Sequence, residues 1–224
     1  MEAICSISTP QGIGAVAIVR MSGDKVFNIA DRFFSFDFIN LKARMAKYAE
    51  FADDENVIDQ VVVTKYEGPH SYTGEDMVEI SCHGSVYIQQ KILQLLIENG
   101  CRMAHPGEYS MRAFMNGKMD LPQAEAVGDL IDSHTEASHR LAVNQLKGQF
   151  SNKIKELRAQ FMVFASLLEL ELDFSEEDVQ FANRDRLQLL LEDLKNEVDT
   201  LIASFKMGNA VKNGVPVAIA GKPN

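Results

Sequence analysis

One feature constrains this chain more than any other: its grammar changes between residues 105 and 127, HPGEYSMRAFMNGKMDLPQAEAV. Before that stretch, short β-branched runs alternate with loops. After it, almost everything up to Lys212 has the spacing of long amphipathic helix. Apolar residues that recur at every second position suit a strand, and those that recur at every third or fourth suit a helix, so the two parts need different architectures. Within the stretch, Pro106-Gly107 ends what precedes it, because proline lacks an N–H and glycine accepts positive φ. Asn116-Gly117 makes a turn, with Lys118 directly after it. Asp120 is placed to cap a helix that starts near Pro122, with Glu125 soon after. Lys118 therefore stands between a turn and a helix start, either as a solvated lysine or as a fixed cation for an anionic ligand.

Along the first part, residues 3–8 and 15–21 read as strands, joined by the loop Thr9-Pro10-Gln11-Gly12-Ile13-Gly14. That loop precedes a strand rather than a helix and lacks a full dinucleotide fingerprint, so it is weak as a phosphate loop. Residues 24–34 read as helix with Asp24 as a first-turn anion. Residues 57–66, 77–82 and 101–104 read as strands, and residues 85–98 as a helix stopped by Asn99-Gly100. Without regular strand–helix alternation, the pattern implies an α+β domain. In the second part, residues 122–147 read as one helix, ended near Gly148. Ser151 is a candidate cap for the next, whose apolar residues Ile154, Leu157, Phe161, Phe164 and Leu168 form one seam. After the acidic break DFSEEDVQF, a second seam runs through Leu187, Leu191, Leu194, Val198, Leu201 and Phe205. Such helices are expected to pack as an all-α antiparallel bundle with the seams as its core.

Charge and cysteine usage narrow the function. The chain carries a net charge of −10, spread over both parts: 11 basic and 15 acidic residues up to Lys118, then 11 and 17. A domain that grips RNA phosphates normally shows a basic excess, so RNA contacts would have to lie on a local patch, on other sequence or on a partner. The three cysteines, Cys5, Cys82 and Cys101, have neither paired nor metal-site spacing and read as buried thiols of a reducing, cytoplasmic compartment. No apolar run is long enough for a membrane helix, and no secretory signal is expected. His83 reads as a turn histidine, His134 and His139 are wrongly spaced for a metal pair on one helix face, and Glu176, Glu177 and Asp178 read as a solvated loop.

Four separated segments carry a resemblance: STPQGIGAVAIVRMSG, SYTGEDMVEISCHG, PGEYSMRAFMNGKMDLPQAEAVGDLIDS and VAIAGKPN. Together, and in this order, they resemble the tRNA modification GTPases of the MnmE (TrmE) family, which act on the wobble uridine of certain tRNAs. The resemblance implies three parts. Residues 1–118 would form an α+β, tetrahydrofolate-binding and dimerisation domain similar to that of glycine-cleavage T proteins. Residues 119–214 would form the first part of a helical domain. Residues 215–224 would be the first strand and loop start of a GTPase domain. There, G-K-P-N supplies four of the eight positions of G-x-x-x-x-G-K-[ST], without the phosphate-binding lysine or the Mg²⁺ ligand. This chain is therefore expected not to hydrolyse GTP.

Matched motif to motif, the resemblance places folate contacts on Arg20, Glu79 and Lys118, and a GTPase potassium ligand on Asn224. These residue types suit the chemistry. A pterin presents an exocyclic amine beside a ring N–H, a donor pair that fits one carboxylate, and Glu79 alternates with Val78 and Ile80 along its strand. Arg20 suits a carbonyl or carboxylate, and Lys118 supplies a point charge. The competing reading is that Glu79 and Arg20 pair with each other as a salt bridge on the sheet. Where the family often has Pro-Gly-Arg-Gly, Ile13 removes a cation beside the implied pocket, and Ser175 replaces a proline in the acidic break. The resemblance further implies 5-formyl- or 5,10-methylene-tetrahydrofolate, GTP, Mg²⁺ and K⁺ for the intact protein. It also implies a homodimer, a flavoprotein partner that uses FAD and NADH, and tRNA as the substrate modified at C5 of uridine. The rival from another class is a non-catalytic dimeric helical scaffold. A free-standing aminomethyltransferase is a third reading, opposed by the long bundle and the P-loop start.

Overall fold

The computed structural model describes residues 1–54, 56–173, 184–213, 218, 220 and 221. It divides into two compact units, Met1–Asp120 and Leu121–Asn224. The first is an α+β unit and the second is helical, as the change of grammar implies.

The first unit is built on one mixed sheet. Its strands are β1 (Ile4–Ile7), β2 (Val16–Ser22), β3 (Ala46–Asp53), β4 (Asn56–Tyr66), β5 (Met77–His83) and β6 (Arg102–Met103), in the order β3-β4-β5-β2-β1-β6. The β1/β6 pair is parallel and the others are antiparallel. Alternation decides the two faces. Val19 and Met21 of β2, Val61 and Val63 of β4, and Val78 and Ile80 of β5 are all buried. They share one core with helices α1 (Val26–Asp31) and α2 (Val86–Glu98), which contributes Ile29, Ile92 and Leu96. The core is extended by phenylalanines, with Phe33 stacked on Phe51 at 4.8 Å and Phe34 on Phe38 at 5.5 Å between ring centres. On the opposite face stand Ile18, Arg20, Thr64 and Glu79, all half-buried, and Val62, which is exposed.

Two elements of this unit are absent from the sequence reading. In β3 the inward positions are Lys47, Ala49 and Phe51, and the Lys47 ammonium lies 3.5 Å from the centre of the Phe36 ring. An inward lysine breaks the apolar alternation that would reveal a strand. Helix α3 (Glu108–Met115) fits between Gly107, at φ 74°, and the turn at Asn116-Gly117, so its two breaks hid the helix between them. The expected helix over residues 24–34 is shorter. It starts after Lys25, which has φ 61°, and Asp24 lies outside it, accepting the Met1 amine at 3.0 Å.

The helical unit contains α4 (Leu121–Ile131), α5 (Glu136–Leu146), α6 (Gln149–Asp173) and α7 (Arg184–Asn213). The single helix expected over residues 122–147 is therefore two. Thr135 caps α5 through a reciprocal bond pair with Ser138, and this local cap ends one helix and begins the next. The two run antiparallel: Gln123 near the start of α4 donates to Leu146 O at 2.9 Å, and Gln145 near the end of α5 donates to Pro122 O at 3.0 Å. Ser151 is not the cap of α6. It lies inside the helix, and the Asn152 N–H bonds to Gly148 O. Lys153 of α6 meets Glu197 of α7 at 2.6 Å. The seams are only partly core. Leu157 and Leu194 are buried, whereas Ile154, Phe161, Leu168 and Leu191 are exposed. Leu187, Phe205 and the acidic break fall on positions whose side chains or backbone lie outside the described residues, as does most of the expected strand at 215–220. Among the described residues no helix is long and apolar enough to cross a membrane.

Candidate functional site

Antiparallel pairing sets Arg20 of β2 directly opposite Glu79 of β5, and alternation turns both away from the core. Their side chains meet. Arg20 Nε and Nη2 lie 2.9 and 2.6 Å from Glu79 Oε1, and the two side chains keep 24 % and 22 % of their exposure. The salt-bridge reading of this pair is thus the geometry present. Three tyrosines surround it. Tyr66, at the end of β4, donates to Glu79 Oε2 at 3.2 Å. The Arg20 guanidinium carbon sits 5.4 Å from the Tyr72 ring centre and 5.5 Å from that of Tyr109, within cation–π range of both. Tyr109 comes from α3, and its hydroxyl donates to Arg20 O at 2.8 Å while Tyr72 and Ser110 share a hydroxyl bond at 2.8 Å. Burial raises the Tyr109 phenol, and burial together with the Glu79 charge raises Tyr66, so both remain neutral donors at neutral pH. Glu79 Oε1 accepts two bonds and Oε2 one, which leaves one acceptor position open on Oε2.

Lys118 is exposed and joins the site through a loop. Its Nζ donates to Pro69 O at 2.8 Å, and Asn116 beside it donates to Thr73 O at 2.8 Å. Gly74, at φ 80°, closes this contact, since a Cβ there would lie 3.0 Å from Asn116 Cβ and 3.2 Å from Lys118 Cγ. Residues 67–76 thus carry Tyr72 to Arg20 and Pro69 to Lys118. The structure brings Arg20 and Glu79 into contact and sets Lys118 on the flank of the loop that supplies Tyr72.

A buried ionic network anchors α3, and with it Tyr109. Arg112 and Glu108 are both buried and bond at 2.9 Å; Arg112 also reaches Glu75 at 3.0 Å and Glu2 O at 2.9 Å. Glu108 further accepts from Arg102 at 2.7 Å and from the His105 N–H. The Arg102 hydrogen bonds, with help from His105 and Arg112, hold the Glu108 carboxyl well below the usual carboxylate range. Sequence reasoning missed this network. Its one local signal, Glu108 four residues before Arg112, looks like an ordinary surface pair.

Other candidates resolve differently. His83 has a partner that its neighbours in sequence do not show: Nδ1 lies 2.7 Å from Asp59 Oδ1, and the His83 N–H bonds to Asp59 Oδ2 at 2.7 Å. Ile13 is 93 % exposed in its loop. All three cysteines are buried and free. Burial pushes the Cys82 thiol up to about 11. No group of three or more potential ligands that could hold a metal occurs among the described residues. Asn224 lies outside them.

Known proteins match both units. Residues 3–118 match the family model described as GTP-binding protein TrmE N-terminus, and residues 121–216 match the MnmE helical domain. The chain belongs to the MnmE (TrmE) family. The "tRNA modification GTPase MnmE" proteins of Flavobacterium johnsoniae and Bacteroides thetaiotaomicron are each 50 % identical to it, over 227 and 228 residues. That of Cytophaga hutchinsonii is 50 % identical over 224 residues. Each alignment covers 100 % of this chain and 49 % of the relative, so the chain spans about half the length of the curated relatives it matches. Within the MnmE frame the first match ends at Lys118 and the second begins at Leu121, where α4 starts. Arg20, Glu79 and every tyrosine around them fall inside the first match.

Proposed function

We propose that this chain is the folate-binding and helical portion of a tRNA modification GTPase. Residues 1–118 bind a one-carbon tetrahydrofolate and form a homodimer, residues 119–214 begin the helical domain, and residues 215–224 begin the GTPase domain. In the intact protein, which is cytoplasmic, GTP, Mg²⁺ and a K⁺ held by Asn224 serve the GTPase. A flavoprotein using FAD and NADH acts with it to add an aminomethyl-type group at C5 of the wobble uridine of tRNA.

The observation that carries the folate reading is the half-exposed Glu79 carboxylate on the open sheet face, opposite Arg20 and among three tyrosines. Flat rings, a cation and an acceptor with an open position fit a flat heteroaromatic ring that presents adjacent N–H donors. Accepting two donors requires Tyr66 or Arg20 to yield one of its bonds to Glu79. Glu79 then orients the ring, Arg20 stays fixed between Tyr72 and Tyr109, and Lys118 attracts anionic groups at the loop. The one-carbon unit that is transferred belongs to the folate. A dimeric scaffold needs none of these side chains.

The test is a calorimetric isotherm with 5-formyltetrahydrofolate on the 224-residue chain and on Glu79→Gln. The substitution keeps shape, removes the charge and sets an NH₂ against a ligand donor. Bonds to charged groups contribute roughly 1.5–3 kcal/mol, so affinity should fall about 10- to 150-fold. If the pair is only a structural salt bridge, Glu79→Gln will lower the melting temperature and leave the affinity of the folded protein unchanged, and the reading fails.

A further inference from the structure

The two rings that hold Arg20 come from different segments, Tyr72 from residues 67–76 and Tyr109 from α3. Each segment can place its ring only if it is itself held, and the two are held to each other. Three bonds join them: Tyr72 to Ser110 at 2.8 Å, Asn116 to Thr73 O at 2.8 Å, and Arg112 to Glu75 at 3.0 Å. Only the last of the three is an ion pair, and its side chains are just 3 % and 10 % exposed. A bond between charged groups outweighs a neutral one, and a buried pair is weakly screened, so this pair is the strongest tie. Glu75 extends the tie to the strand that carries Arg20. Ser22 follows Arg20 by two residues, so both project from the same sheet face, and Ser22 is buried. Its hydroxyl lies 2.8 Å from Glu75 Oε2 and 2.7 Å from Thr73 Oγ1. With Ser22 donating to the carboxylate, Thr73 must donate to Ser22, so β2, residues 67–76 and α3 meet at one acidic side chain.

We propose that Glu75 and Arg112 are positioning residues of the folate site: their buried pair fixes both rings around Arg20 and, through Arg20, the orientation of the Glu79 carboxylate. This rests on the folate reading of Arg20 and Glu79. Both residues act through Tyr72 and Tyr109 rather than on the ligand. An Arg20 without its rings can follow Glu79 or turn to solvent, and a ligand must then fix both side chains as it binds. Immobilising a rotamer-rich side chain opposes binding, so loosening these two should weaken folate about tenfold.

The experiment is a double-mutant cycle, read by calorimetry with 5-formyltetrahydrofolate on the 224-residue chain, Glu75→Gln, Tyr72→Leu and the two combined. Each single variant should bind about tenfold more weakly than the unaltered chain, and the double variant should fall well short of the roughly hundredfold loss that independent effects give. The Glu75→Gln loss should persist in about 0.5 M salt, because the pair is buried. Arg112→Lys keeps the charge but not the fork that reaches both Glu108 and Glu75, so it should repeat the loss from the α3 side, and it carries the cycle if Glu75→Gln does not fold. A lowered melting temperature with unchanged folate affinity in these variants makes the network purely structural and overturns the proposal. So does a double variant in which the two losses multiply. Unchanged affinity in Tyr72→Leu overturns it whether or not the network variants fold. All three results leave the folate reading standing, whereas failure of the unaltered chain to bind the folate overturns both.

Discussion

The sheet unit and the helical unit use apolar periodicity to different effect. In the sheet unit the inward residues of β2, β4 and β5 are covered by α1, α2 and the phenylalanines of residues 33–51, and Val19, Val63, Ile80 and Phe51 retain no exposure. In the helical unit the seam of α6 holds Leu157 at 6 % exposure beside Ile154 at 43 % and Phe161 at 46 %, and in α7 Leu194 at 1 % stands three residues from Leu191 at 49 %. Periodicity shows which residues share a face. Whether that face is covered depends on how many neighbours reach it. A sheet face closes against two helices from distant parts of the sequence, whereas helices that meet pairwise along their lengths cover a narrow stripe.

The two cores should differ most in their response to truncation. Phe51→Ala should destabilise the sheet unit by about 3–5 kcal/mol, whereas Leu194→Ala should cost the helical unit only about 2–3 kcal/mol, because its half-open surroundings collapse more easily. Denaturant unfolding of both variants measures this, and an equal or larger loss for Leu194→Ala contradicts it. Next is the anchor of α3. Arg112→Ala leaves Glu108 and Glu75 facing each other without their shared cation and should cost about 3 kcal/mol.

The same anchor sets an acid response. Glu108 has a folded pKa below its unfolded value of about 4.3, so its stabilisation is complete above that value and is lost as pH falls through the folded pKa. The midpoint of the sheet unit should drop between about pH 4 and pH 2, and Glu108→Gln, though less stable at pH 7, should flatten that slope. A slope unchanged by Glu108→Gln would move the acid sensitivity elsewhere. The smallest expected effect is at Lys118. An exposed charge on a carbonyl is screened by salt, so Lys118→Ala should weaken folate binding by about 1 kcal/mol or less, and the loss should shrink at high ionic strength. A loss that persists in salt would make Lys118 a directional contact like Glu79.

Much of this fold is legible in the sequence. Two units of different class, the strands that carry Arg20 and Glu79, and the helix stopped by Asn99-Gly100 follow from periodicities and turn residues that act over a few positions. The sequence is ambiguous where two local signals compete. The Thr135–Ser138 cap split an otherwise continuous helical pattern, Lys25 delayed α1, and the breaks at Pro106-Gly107 and Asn116-Gly117 concealed α3 between them.

What the sequence determined by itself is the identity of each face: Arg20 and Glu79 point away from the residues that alternate with them, because strand geometry has a period of two. The tertiary structure alone decided what those faces meet. β-pairing across 59 positions put the guanidinium on the carboxylate, α3 and residues 67–76 brought Tyr109 and Tyr72 over Arg20, and Asp59 of β4 met His83 of the adjacent β5. Contacts of that range depend on register and loop closure, which no local window of sequence contains.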